Sequence, residues 1–347
     1  MRITRLGALS GVILATVIAG VAHARDLTIV AFGGAGQDAE RQIYFKPFSE
    51  KTGIPVVEES WDGGYGILQA KIKAGDPSWD VVHVEAEQVA LGCADGILEK
   101  MDWSVIKNKD ELLPDSISDC GVGNTYWSTA IAYDGDKLKD GPKNWADFWD
   151  VKKFPGKRAL RKSATYNLEF ALMADGVKPS DVYKVLSTPE GVDRAFKKLD
   201  ELKPNLVWWD SGAQAIQLLA SGEVVFSSVY NGRVAAVNKS ENKHFMIVWP
   251  QSMYAIDYWV ILKGAANKDK AMQFIAFASQ AENQAKMPGL LSYGVPNTKA
   301  SASISQDVLT TLPTYKANMQ DALPFNVDFW VDNSESLSNR FNAWLSQ

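Results

Sequence analysis

Histidine, cysteine, basic patches and long apolar runs are all scarce in this chain of 347 residues, and each scarcity removes a class of function. Of three histidines, His23 lies in an N-terminal apolar stretch, while His83 and His244 fall in strand-like segments with no metal-ligand spacing to another His or Cys. That argues against a zinc centre, and no G-x-S-x-G elbow for a nucleophilic serine follows the N-terminal stretch. Lys and Arg are scattered among the acids and the net charge is −5, so the basic stripe that nucleic acid requires is missing. The uncharged run from Leu6 to Val21 is shorter than the ~20 residues that span a bilayer, and no second run of that length occurs. No internal repeat or low-complexity tract is present. No cofactor and no metal are expected.

What is present begins with export. Arg2 and Arg5, the run to Val21, then Ala22-His23-Ala24 before Arg25-Asp26 make a secretory signal peptide over residues 1–24, cleaved after Ala24. No Cys follows that point to take a lipid, so release into the periplasm is expected. Cleavage removes two of 36 basic residues and none of 41 acids, leaving a mature net charge of −7. Only Cys93 and Cys120 remain to pair. In an oxidising compartment an even count favours one disulfide; two buried thiols are the alternative, because spacing does not set the Cα separation.

With 46% apolar residues the chain can bury large cores, and its length favours two domains or one large one. Residues 26–32 read as a buried strand, followed by Gly33 to Gly36 and a helix over 38–53. A strand over 55–60, a helix over 65–74, a turn at 75–77, a strand over 80–84 and a short helix over 87–93 complete a βαβα alternation, which implies a largely parallel sheet covered on both faces. After a strand near 130–133 the character changes. Helices near 166–175, 189–203 and 211–221, strands over 223–229, 245–249 and 257–262, and helices over 231–242 and 268–279 form a second unit and a mainly helical end. Open parallel sheets bind ligands where strands end. Phe32, Gly33, Asp62, Glu85, Tyr230, Arg233 and Asp257 sit at such ends.

The phrases Phe48-Ser49-Glu50-Lys51-Thr52-Gly53-Ile54-Pro55-Val56, Ala70-Lys71-Ile72-Lys73-Ala74-Gly75, Trp79-Asp80-Val81-Val82, Leu219-Ala220-Ser221-Gly222-Glu223-Val224 and Tyr230-Asn231-Gly232-Arg233, in that order, resemble the polyamine-type periplasmic binding proteins. The resemblance runs over nearly the whole mature chain. It implies an α/β, periplasmic binding protein-like fold of two mixed-sheet lobes with a hinge and an interlobe cleft. Lobe 1 is expected over residues 25–130 plus 259–347, its last helices touching both lobes, and lobe 2 over 131–258. An inner-membrane ABC permease is the implied partner, the protein acting as a monomer. Family members hold a linear diamine between aromatic walls with carboxylates at both ends. By position, the resemblance assigns Phe32, Glu85, Tyr230, Asp257 and Tyr293 to that site. Tyr166 stands where the family has a second-lobe acid, and Trp61, Trp208 and Trp209 are further candidate walls.

One departure reverses the chemistry: the acid that the family carries after its aromatic is Arg233 here. A guanidinium stays charged and offers a planar fork suited to a carboxylate, but it repels an ammonium, at a cost of several kcal/mol in a closed cleft. With Asp257, helped by Glu85, at the other end, the slot suits a zwitterionic ω-amino acid, γ-aminobutyrate first, with a polyamine as the alternative. Arg233 on an outer helix surface, Asp257 at a cleft mouth and Glu85 as a helix cap are the plainer roles for these residues. The enzyme reading rests on Gly34-Ala35-Gly36-Gln37-Asp38-Ala39 with Glu58 and Glu59 downstream, a dinucleotide-like pattern that serves equally to let backbone approach a small ligand.

Overall fold

The alternation of short apolar runs with helices builds one mixed sheet. A computed structural model describes residues 25–75 and 78–347; the expected signal peptide, and Asp76-Pro77 of the expected turn, lie outside the described residues. The strands are β1 (Leu27–Ala31), β2 (Val56–Ser60), β3 (Val81–Glu85), β4 (Gly121–Asp134), β5 (Arg158–Arg161), β6 (Leu206–Trp209), β7 (Phe226–Tyr230), β8 (Phe245–Ile261) and β9 (Leu323–Pro324). Their order is β2-β1-β3-β8-β4-β7-β5-β6, with β9 beside β8. β1 pairs in parallel with β2 and β3, and β5 with β6 and β7. Between these two parallel sets run β4 and β8, long and antiparallel to each other.

Helices used below are α1 (Gly34–Glu40), α2 (Ala86–Ala94), α3 (Asn167–Ala174), α4 (Gly212–Ser221), α5 (Asn231–Glu241), α6 (Lys268–Ala278) and α7 (Val327–Leu345). The inner strands of each parallel set are buried on both faces, as crossover helices require, while the edge strand β2 is largely open to solvent. Around β1 and β3, Leu27, Ile29, Val81, Trp259 and Ile261 meet Phe45, Phe48 and Phe274 on one side, while Val30, Val82, Val84 and Val260 meet Leu68 and Val89 on the other. The second set packs Leu160 and Phe226 against Trp145, Phe148 and Phe170, and Ala159 and Val229 against Trp209, Ala215 and Leu219.

Three sequence expectations change. The strands placed over 245–249 and 257–262 are one strand, β8, which survives Pro250 because the pairing with β4 is interrupted there and Gln251 takes a positive φ of 63°. The helix placed over 38–53 starts at Gly34 and passes through a π-helical turn, Arg41–Phe45, before ending at Thr52. The strand near 130–133 is the end of the 14-residue β4. Cys93 and Cys120 are bonded, with Cα atoms 5.6 Å apart, tying α2 to the start of β4.

Candidate functional site

Chain direction brings the ends of β1, β3, β5 and β7 toward the strip of sheet formed by β4 and β8. Registry then fixes a row: Glu85 pairs with Asp257 and Asp257 with Thr125, so the three side chains share a face. His83, two residues before Glu85, lies on that face too. Beyond β1, Gly33 and Gly34 have φ of 71° and 60°, a region that favours glycine, and this turn opens α1. The Gly33 N–H donates to Gln37 Oε1 at 3.1 Å. The dinucleotide-like pattern is therefore a turn closed by its own glutamine, and the acids downstream are engaged, Glu58 by Arg41 and Glu59 by Trp79 Nε1.

Two cavities lie along the row. The first, about 150 Å³, is lined by Phe32, Gly33, Glu40, His83, Arg233, Asp257 and Tyr293 among others. The second, about 190 Å³, is lined by Glu85, Trp127, Arg161, Ser163, Thr165 and Tyr166 among others. Both are below the ~300–1,000 Å³ usual for drug-sized ligands, a size suited to a small solute. Trp127 stands between them: its Nε1 donates to Asp257 Oδ1 at 2.9 Å and its ring packs edge-on to Tyr166 and Tyr230.

The charges are unevenly placed. Asp257 Oδ2 lies 3.3 Å from His83 Nε2, and His83 Nδ1 lies 2.9 Å from Glu40 Oε1. Burial works against a charged imidazole here, but Glu40 first and then Asp257 outweigh it and carry the His83 pKa up to about 10. Burial also raises the Tyr293 phenol to about 12, Asp257 adding to the shift and Arg233 opposing it. Around Glu85 the surrounding protein and the Asp257 carboxylate push the carboxyl up while Arg161 pulls it down; the side chain still reaches solvent along the cleft. Arg161 is half-buried and, among the described residues, no carboxylate lies within ion-pair distance of it.

Of the residues assigned from sequence, Phe32, Gly33, Arg233, Asp257 and Tyr293 meet at the first cavity, and Glu85 and Tyr166 at the second. Tyr230 packs against Trp127 and Trp209 at the junction. Arg233, on the first turn of α5, is exposed yet lines the cavity. Glu85 is also the N-cap residue of α2, its N–H donating to Gln88 Oε1 at 2.7 Å.

Asp62 and Trp209 are corrections. Asp62 is exposed in the loop before residue 65 and lines neither cavity. Trp209, 1% exposed, is turned into the core by strand alternation, its Nε1 on Ser228 Oγ. Trp208 packs on Phe341 and Trp344 instead, and Trp61 backs Phe32 with its Nε1 on the His83 carbonyl. Glu40, Trp127 and Arg161 were not singled out in the sequence. Arg161 carried the one usable signal, a cation closing a short strand before a polar loop.

A small, two-signed cavity at strand ends, crossed by two long strands, defines a solute-binding protein. The chain belongs to the bacterial extracellular solute-binding proteins, whose family pattern it matches over residues 44–317. It is 46% identical over 334 residues to a γ-aminobutyric acid-binding protein of Pseudomonas aeruginosa, covering 96% of this chain and 95% of that one. An ABC transporter substrate-binding protein from Bradyrhizobium japonicum superposes with a TM-score of 0.85 at 36% identity, covering 92% and 99%. A GABA receptor structure gives 0.83 at 36%, covering 92% and 97%. The spermidine/putrescine-binding periplasmic protein of Escherichia coli stands further off, 25% identical over 281 residues, 77% and 78% of the two chains. The polyamine-type resemblance thus holds at a distance.

Proposed function

We propose that this chain is the periplasmic binding component of an ABC importer and that it closes on a zwitterionic ω-amino acid, γ-aminobutyrate first. The observation that carries the reading is that Arg233 and Asp257 line one small cavity. A carboxylate gains charge-assisted hydrogen bonds from the guanidinium, and an ammonium gains them from the acid side, each worth roughly 1.5–3 kcal/mol. Arg161 adds a second cation on the same side as Arg233, which disfavours a diamine further. The γ-aminobutyrate for which the Pseudomonas relative and the receptor are named supports the same choice. In this reading residues 1–24 direct export and are removed. Residues 25–130 with 259–347 form one lobe, 131–258 the other, and closure presents the loaded monomer to an inner-membrane permease with no catalytic step.

Calorimetric titration of the ligand-free mature protein with γ-aminobutyrate, putrescine and spermidine is the test. Tight γ-aminobutyrate binding and weak or absent diamine binding are expected; tight putrescine binding with silence toward ω-amino acids overturns the reading. Arg233→Asp should weaken γ-aminobutyrate by roughly 10- to 100-fold, the equivalent of losing one charge-assisted contact.

A further inference from the structure

Sequence reading leaves the ammonium end of the ligand to Asp257. In the structure both Asp257 oxygens already have donors, Trp127 Nε1 on Oδ1 and His83 Nε2 near Oδ2. Glu40 differs. It is 2% exposed, lines the first cavity, and accepts at Oε1 from Asn124 Nδ2 at 2.7 Å and from His83 Nδ1. Its other oxygen, Oε2, is buried with no hydrogen-bond partner. A buried carboxylate oxygen without a donor is costly, and native proteins leave few such atoms. An unfilled acceptor on a residue that lines the cavity points to a donor that arrives with the ligand. The backbone singles out the position as well: the π-helical turn begins at the next residue, Arg41, and such turns recur at functional sites.

Resting on the ω-amino acid reading above, we infer that Glu40 is the direct acceptor of the ligand's primary ammonium through Oε2, and that Glu40, His83 and Asp257 act as one anionic pole of net charge −1. Two carboxylates alone would make a dianionic pole suited to a dication. The buried imidazole between them is held in its charged form and cancels one of those charges, so the pole matches a single ammonium. Phe32, 4.9 Å from the His83 ring and edge-on to it, closes the apolar side. The ligand class is therefore a protonated amine at the end of a short chain, since the pole's net negative charge favours a cation and Oε2 needs a hydrogen-bond donor to fill it.

Glu40→Gln tests this, because the amide can keep an oxygen toward His83 and Asn124 while presenting N–H groups to the cavity. The wild type is titrated first with γ-aminobutyrate; failure to bind there sinks the ω-amino acid reading itself. Given wild-type binding, Glu40→Gln should lose roughly 10- to 100-fold for γ-aminobutyrate and change little for γ-hydroxybutyrate, which lacks the ammonium. Equal losses for both ligands, or no loss for either, overturn the assignment. Should the variant fail to fold, the wild type is titrated with the N,N,N-trimethyl analogue of γ-aminobutyrate. That ligand keeps its charge but has no N–H, and binding equal to the parent's overturns the assignment.

Discussion

At the scale of single residues, the site depends on how closely neighbours approach. Gly232, the second residue of α5, sits so near Tyr293 that an added Cβ would lie 2.5 Å from its ring. Alanine at this position improves helix propensity by up to about 1 kcal/mol, which offsets part of the cost of the contact it creates. Gly232→Ala must push the Tyr293 ring, which lines the first cavity, and crowding of this kind costs about 1–3 kcal/mol. Roughly tenfold weaker γ-aminobutyrate binding, with no more than a modest fall in melting temperature, is expected by calorimetry and thermal unfolding; unchanged affinity would place Tyr293 outside the ligand's reach. Single residues also show what sequence could convey. Phe32, Gly33, Glu85 and Asp257 were legible as cavity-lining positions because they stand at strand ends, and Arg233 because it replaces an acid in a recognisable phrase. Glu40, His83, Asn124 and Asp257 were not legible as a group. They come from α1, β3, β4 and β8, and only the strand order and registry bring them together.

At the scale of elements, short and broken segments were the ones misread. β5 is four residues, Arg-Ala-Leu-Arg, too short and too charged to show alternation, and with it Arg161 went unnoticed. β8 contains Pro250, which ordinarily argues against a continuous strand. Packing between elements carries its own titration. On α3, Glu169 Oε1 accepts from Trp330 Nε1 of α7 at 2.6 Å and from the Tyr183 hydroxyl at 3.2 Å, and burial raises its carboxyl to about 7. In the unfolded chain that carboxyl ionises near pH 4.3. Between about pH 4.3 and 7 the fold keeps a proton that the unfolded chain has released, so this group's contribution to stability is full below the window and falls as pH rises through it. The loss is on the order of 3 kcal/mol. Glu169→Gln should flatten the fall in melting temperature between pH 5 and 8; parallel slopes for variant and wild type would assign the pH dependence to other groups.

At the scale of the whole molecule, the two parallel strand sets carry opposite signs toward the cleft. Glu40 and Glu85 come from the β1–β3 side, where the His83 imidazole offsets only one acid, and Arg161 and Arg233 from the β5–β7 side, with Asp257 on the strand that runs between. A zwitterion can touch both sides at once; an amine or a carboxylate alone touches one. A ligand shifts an open–closed equilibrium only by its differential affinity for the two states, and moving the balance from 1:99 to 99:1 takes about 5.5 kcal/mol. Two sets of charge-assisted contacts at about 1.5–3 kcal/mol each come close to that figure, and one set falls well short. Small-angle scattering of the mature protein should therefore show contraction with saturating γ-aminobutyrate and little or none with saturating butyrate or butylamine. Full contraction with either half-ligand would mean that one pole alone drives closure, and the opposed charges would then serve selection of the solute and not the motion.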